Sequence, residues 1–191
     1  MTLKPVLIAC AALLPFAASA QTDLGVAQYT DSGELRYPGN LVEWIQTGAS
    51  LGSEYSDTPF DPASPGTIGV VQMEPNAYRY FLEHSTYADG TMFLLSFYRA
   101  EGKSQPQLPG FVQGPLQAQE IHVLDKARFA DDSGHGFFLY RNRELVSSAR
   151  VPAGNECTVC HTEHGAFDGT FVQFYPDLRA HLGLEDQAVA E

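Results

Sequence analysis

Cysteine, positive charge and long apolar runs are all scarce in this chain, and each scarcity removes a class of protein. Of 191 residues only three are cysteine, and one of these, Cys10, lies within the first twenty residues, so no multi-disulfide framework can be built. Lysine and arginine total 11 against 23 aspartates and glutamates, a formal net charge of −12, which argues against a phosphate-backbone partner and so against nucleic acid. After the N-terminal stretch no apolar run reaches the roughly 18 to 20 residues of a membrane-spanning helix. Methionine is equally rare: Met73 and Met92 are the last two, and none follows them. There is no internal repeat, no low-complexity segment and no sustained heptad pattern of the kind that makes a helical bundle.

The opening residues MTLKPVLIACAALLPFAASA combine one lysine, an apolar stretch and a small-residue ending, the pattern of a secretory signal peptide cleaved near Ala20 and Gln21. A lipobox reading at Leu7-Ile8-Ala9-Cys10 competes, but cleavage there leaves the apolar continuation from Ala11 to Phe16 without a role in export. The reading is therefore a signal peptide over 1–20 and a single exported, periplasmic domain over 21–191. Its acidity suits small neutral ligands or a basic partner, and equally plain solubility.

Turn residues punctuate the mature chain. Residues 21–40 read as a polar lead-in, and Leu41, Trp44 and Ile45 at i, i+3, i+4 predict a short helix over 41–48 with the single tryptophan on its buried side. Prolines 59, 62 and 65 mark a loop over 52–66. Thr67–Met73 reads as a strand, and Pro75–His84 as a helix opened by proline, with Tyr78, Phe81 and Leu82 on one face. The apolar run over 91–98 follows an Ala88-Asp89-Gly90 turn and predicts a buried strand, with Phe93, Leu95 and Phe97 on one face and Met92, Leu94, Ser96 and Tyr98 on the other. A Gly/Pro/Gln loop over 101–118, strands over 120–124 and 136–140, and a final helix over 176–182 complete the expectation. The fold class is α+β, predominantly antiparallel β-sheet with short helices.

One motif carries chemistry. Cys157-Thr158-Val159-Cys160-His161 has the C-x-x-C-H spacing of c-type haem attachment, in which two thiols add to the vinyl groups on one porphyrin edge while the imidazole reaches the iron. A single disulfide or a redox dithiol would use the cysteines alone, and neither requires His161. The expected cofactor is one covalent haem c, with His161 as axial ligand. Small electron-transfer cytochromes find a methionine ligand well after the motif, and here none follows. His84, His122, His135, His164 and His181 remain as sixth-ligand candidates, with structural roles as the alternative for each. An open sixth position points to ligand binding or chemistry rather than electron shuttling.

Taken in order, Tyr37-Pro-Gly-Asn-Leu-Val-Glu-Trp44, Asp89-Gly-Thr91, Asp125-Lys-Ala-Arg-Phe-Ala130, the Cys157 to His161 motif and Phe171-Val-Gln-Phe-Tyr-Pro176 resemble the cytochrome P-460 family. The resemblance implies a homodimeric antiparallel-sheet fold with c-type haem on the sheet. It also implies two branches: hydroxylamine oxidisers with a lysine linked to the porphyrin rim, and cytochrome c′-beta proteins, which lack that lysine and bind nitric oxide at a five-coordinate haem capped by aromatic side chains. Counted from Asp89-Gly90-Thr91, the lysine position is Leu95, and the only lysines after the leader are Lys103 and Lys126. The resemblance is thus closer to the second branch, with Phe93, Leu95 and Phe97 as a candidate distal pocket, or else plain core packing. Phe60 and Phe137 are further cap candidates, Glu144 and Glu156 are available acids for the enzyme alternative, and a cytochrome redox partner goes with it. A six-coordinate electron carrier is the third reading.

Overall fold

In the computed structural model, residues 26–52, 59–103, 109–141 and 146–184 are described. The leader, Cys10 and Glu144 lie outside them. The organising element is a five-stranded antiparallel sheet in sequence order, formed by β2 (Ile45–Leu51), β3 (Thr67–Met73), β4 (Thr91–Gly102), β5 (Phe111–Leu124) and β6 (His135–Arg141). A two-stranded ribbon of β1 (Leu35–Arg36) and β7 (Ser147–Ser148) forms a separate sheet. Helix α1 (Pro75–His84) connects β3 to β4, and after β6 come α2 (Glu156–His164) and α3 (Pro176–His181). The α+β, mainly antiparallel class read from the sequence is the class observed. Among the described residues no helix is long and apolar enough to cross a membrane.

Because successive strand residues face opposite sides, the sheet sorts its apolar residues into two cores. Met92 and Leu94 of β4, Ile121 and Val123 of β5, and Phe138 and Tyr140 of β6 pack with Leu35, Trp44 and Phe129 on one side. On the other, Met73, Phe93 and Leu124 meet Phe81 of α1, Val172 and Leu178 of the C-terminal segment. Met73 and Met92 are both core side chains.

Several local expectations match closely. Strand β3 and helix α1 have the predicted bounds; the Glu74 side chain caps α1 by accepting from the Asn76 and Ala77 N–H groups at 2.8 Å, and Pro75 needs no partner at the first position.

Two expectations fail. Residues 41–48 are not a helix: a single 3-10 turn, Leu41–Glu43, leads into β2. Its i, i+3, i+4 pattern spans too few residues to outweigh the ladder that β2 makes with β3, although Trp44 is buried as expected. Nor is 101–118 a loop, since β4 runs on to Gly102 and β5 starts at Phe111. The breakers are absorbed by a bulge: Tyr98 pairs with Leu116 and Ala100 with Gln113, so Gly114 and Pro115 together face Arg99 and the proline nitrogen needs no ladder partner.

Candidate haem site

Helix α2 carries the motif, and the sequence around it explains why a helix starts there. The Asn155 side chain accepts from the Thr158 N–H at 3.1 Å, an N-cap, with Glu156 in the first turn. Helical spacing then places Cys157, Cys160 and His161 at i, i+3 and i+4, on one face. Both thiols are free, Cys157 half-buried and Cys160 exposed. Burial and the neighbouring Glu120 carboxylate push the Cys157 thiol pKa up.

A buried anchor holds this helix against the sheet. Asp132, in a 3-10 turn before β6, accepts from the Thr158 hydroxyl at 2.9 Å, the Gly154 N–H at 3.0 Å and the Arg150 guanidinium at 3.1 Å. Burial alone would raise the Asp132 pKa; the three donors together bring it below the ordinary carboxylate value. Thr158, between the two cysteines, is itself buried.

His161 donates from Nδ1 to the Gly169 carbonyl at 2.7 Å. A carbonyl can only accept, so the neutral ring carries its proton on Nδ1 and keeps the Nε2 lone pair for a metal. Burial holds its pKa below the usual imidazole value, with the Gly169 bond opposing and His135 adding to the effect. The ring is boxed by His122 (centroids 4.6 Å apart), Phe137 (4.9 Å) and Phe171 (4.6 Å).

His161 opens onto a cavity of about 120 Å³, walled by Val71, Phe93, Leu95, Glu120, His122 and Phe137 of the sheet and by Thr170, Phe171 and Tyr175 of the C-terminal segment. Strand register builds the sheet wall. Val71, Leu95 and Glu120 are successive cross-strand partners, and Met73, Phe93, His122 and Phe137 form the next row but one. A larger cleft of about 700 Å³ opens elsewhere, beside Arg36, Trp44, Glu74 and Arg79, but its described lining includes no cysteine or histidine, so size does not mark the site.

The candidate residues separate accordingly. Phe93 and Leu95 face the cavity, whereas Phe97, opposite Gly69 and Ala118, lies one step further along that face and outside the lining. Phe137 belongs to the wall; Phe60 is more than half exposed. Of the other histidines, His84 stacks on Tyr80, His164 pairs with Glu163, and His181 sits by Ser85, all away from the cavity. His122 is buried in the wall, its pKa well below the imidazole norm because of that burial. Lys103 is exposed, Lys126 pairs with Asp168 at the surface, and Glu156 lies in the first turn of α2; none lines the cavity.

Of the titratable wall residues, Glu120 escaped the sequence reading as a site residue, while His122 stood there only as one of five sixth-ligand candidates. Both sit on the parity of β5 opposite Ile121 and Val123, and that polar alternation was the available signal.

The donor set fits a c-type haem: two free thiols and an imidazole on one helical face, with the imidazole oriented by a backbone carbonyl and facing an aromatic-lined cavity. Comparison with curated proteins yields no match. The family model described as cytochrome P460 matches residues 43–172, a span that begins before β2, takes in the whole five-stranded sheet and the Cys157 to His161 helix, and ends in the aromatic segment at the cavity; the chain belongs to the cytochrome P460 family.

Proposed function

We propose that the chain is an exported mono-haem c protein in which Cys157 and Cys160 hold the porphyrin, His161 is the axial ligand, and the sixth position takes a small neutral molecule such as nitric oxide. The observation that carries this reading is Leu95, which lines the cavity with His161, at the position to which the family resemblance assigns the lysine of the enzymatic branch. A leucine flanked by Phe93 and Val71 offers neither a covalent link nor a hydrogen-bond donor. Such a surface favours diatomic gases over charged substrates. Periplasmic location and a homodimer are part of the proposal, through the leader and the family resemblance.

A second reading has its own support. Glu120 lies directly opposite Leu95 in the wall, a carboxylate where hydroxylamine oxidation would need a proton acceptor, with a cytochrome partner taking the electrons. A six-coordinate electron carrier has less: besides His161, only His122 of the described histidines borders the cavity, and its Nε2 is bonded to His135 at 2.9 Å.

Spectra of the reduced protein with and without nitric oxide, together with hydroxylamine turnover using an artificial electron acceptor, test all three. The expected result is a high-spin spectrum at ordinary c-haem wavelengths, uptake of nitric oxide, and no turnover. Robust turnover that Glu120→Gln reduces at least tenfold would overturn the binding reading in favour of oxidation, and a low-spin reduced spectrum would indicate six-coordination.

A further inference from the structure

Behind the axial histidine lies a second imidazole pair that the proposed chemistry does not use. His122 Nε2 and His135 Nδ1 are 2.9 Å apart, and both side chains are buried. His122 stacks on Phe137 at 4.5 Å with planes 15° apart and presents its ring to His161 nearly edge to face, at 68°. Across the pair, His135 borders a cleft of about 240 Å³ that also touches Lys126, Asp168 and Gly169.

Gly169 connects the two imidazole systems. Its backbone is in the left-handed region at φ +63°, and a Cβ placed there would lie 2.5 Å from His135 Cε1 and 2.8 Å from Nε2. The His135 ring therefore rests directly on the Gly169 backbone, and only glycine permits that approach. The same residue's carbonyl is the acceptor for His161 Nδ1. Gly165 packs against the same turn, where a Cβ would fall 2.6 Å from the Gly169 carbonyl carbon and equally close to the His161 carbonyl oxygen. Held between Gly165 and His135, the Gly169 carbonyl has little room to move.

We propose that His135 and His122 are positioning residues for the axial ligand: His135 seats the Gly169 carbonyl that orients His161, and His122, tied to His135, forms the wall that sets the His161 ring angle. The proposal rests on the reading of His161 as haem ligand. Its chemical content is that a firmly seated acceptor on Nδ1 makes the imidazole a stronger electron donor, as outer-shell partners of ligating histidines do. Loosening the seat lengthens that hydrogen bond and weakens donation.

The test uses the haem-loaded protein and reads the iron–histidine stretching frequency by resonance Raman of the reduced form, together with the midpoint potential. His135→Leu removes the hydrogen bond to His122 and the ring edge on Gly169. His122→Phe keeps an aromatic wall but frees His135. Expected results are a lower stretching frequency and a more positive potential in His135→Leu, a smaller change of the same sign in His122→Phe, and a double variant no more shifted than His135→Leu alone, because the two act as a unit. Leu35→Ala, a truncation in the core on the opposite face of the sheet, should leave both readings at wild-type values, which a general loss of stability would not. If His135→Leu does not load haem, His122→Phe decides the matter. Loaded variants with wild-type frequency and potential would overturn the positioning role while leaving the site reading intact. A wild-type chain without haem on Cys157 and Cys160 would overturn both.

Discussion

Removing the Asp132 carboxylate should weaken both the fold and haem attachment, because one buried acid ties three separate segments together. Its side chain is 3% exposed and accepts from Thr158 Oγ1 at 2.9 Å, Gly154 N at 3.0 Å and Arg150 Nη2 at 3.1 Å. Hydrogen bonds to a charged group contribute about 1.5–3 kcal/mol each, but the three do not add in Asp132→Ala. Arg150 keeps the exposed Asp131 at 3.0 Å, so the uncompensated groups are chiefly the Gly154 N–H and the Thr158 hydroxyl. Breaking a buried ionic cluster from one side costs about 3–5 kcal/mol, and the retained Asp131 contact places this case near the lower end, about 3 kcal/mol. For a chain of this size that is a fall in melting temperature of roughly 6–12 °C. The released donors belong to the turn before α2 and to its first turn, so covalent haem per chain should fall with stability. Urea unfolding gives the first quantity and haem-to-protein ratio after denaturation the second. Asp132→Ala combined with Thr158→Val should show a coupling of about 1–2 kcal/mol. A loss below about 1 kcal/mol with full haem loading would refute the anchor.

Asp132 also sets an acid limit. Its pKa is lowered in the folded chain, so its contribution is fully present above the unfolded carboxylate value of about 3.9 and is lost as pH falls through the lower folded value; urea midpoints measured through that range should drop less steeply in Asp132→Asn than in wild type. Phe81 is fully buried against Tyr87, with ring centroids 4.7 Å apart, and near Phe167, and Phe81→Ala should cost about 3–5 kcal/mol by denaturation. Gly48→Ala places a methyl carbon 2.5 Å from the Tyr175 ring and should cost about 1–3 kcal/mol by overpacking; in a Tyr175→Ala background most of that cost should vanish.

What the sequence made legible follows from how local each constraint is. Covalent chemistry fixes the spacing of Cys157, Cys160 and His161 within five residues, so the motif is readable without any fold. Strand β3 and helix α1 carry their own periodicity and capping signals within seven and ten residues, and so does the face of β4 that holds Phe93 and Leu95. Other features depend on partners distant in the chain. The strand character of β2 comes from pairing with β3, and Gly114-Pro115 is tolerated in β5 because β4 opposes the pair with a single residue.

Register explains why Glu120 is not legible as a site residue and why His122 does not stand out among five histidines. In isolation they are one acid and one histidine on a short strand. Paired with β4, they become the direct partners of Leu95 and Phe93. Their parity could nonetheless have been inferred. A one-residue slip of β5 would exchange the strand's two faces, carrying Ile121 and Val123 into the cavity wall and pressing Glu120 and His122 into the core around Leu94 and Phe138. The costs are unequal. Ile121 and Val123 are fully buried in that core, and a carboxylate there without a designed partner is far more expensive than an isoleucine in an aromatic-lined cavity. The sequence Glu120-Ile121-His122-Val123 therefore contains its own orientation: the polar parity must face whatever site the strand serves. Once Phe93 and Leu95 are placed beside a cofactor, their β5 neighbours on that face are the titratable residues available to it.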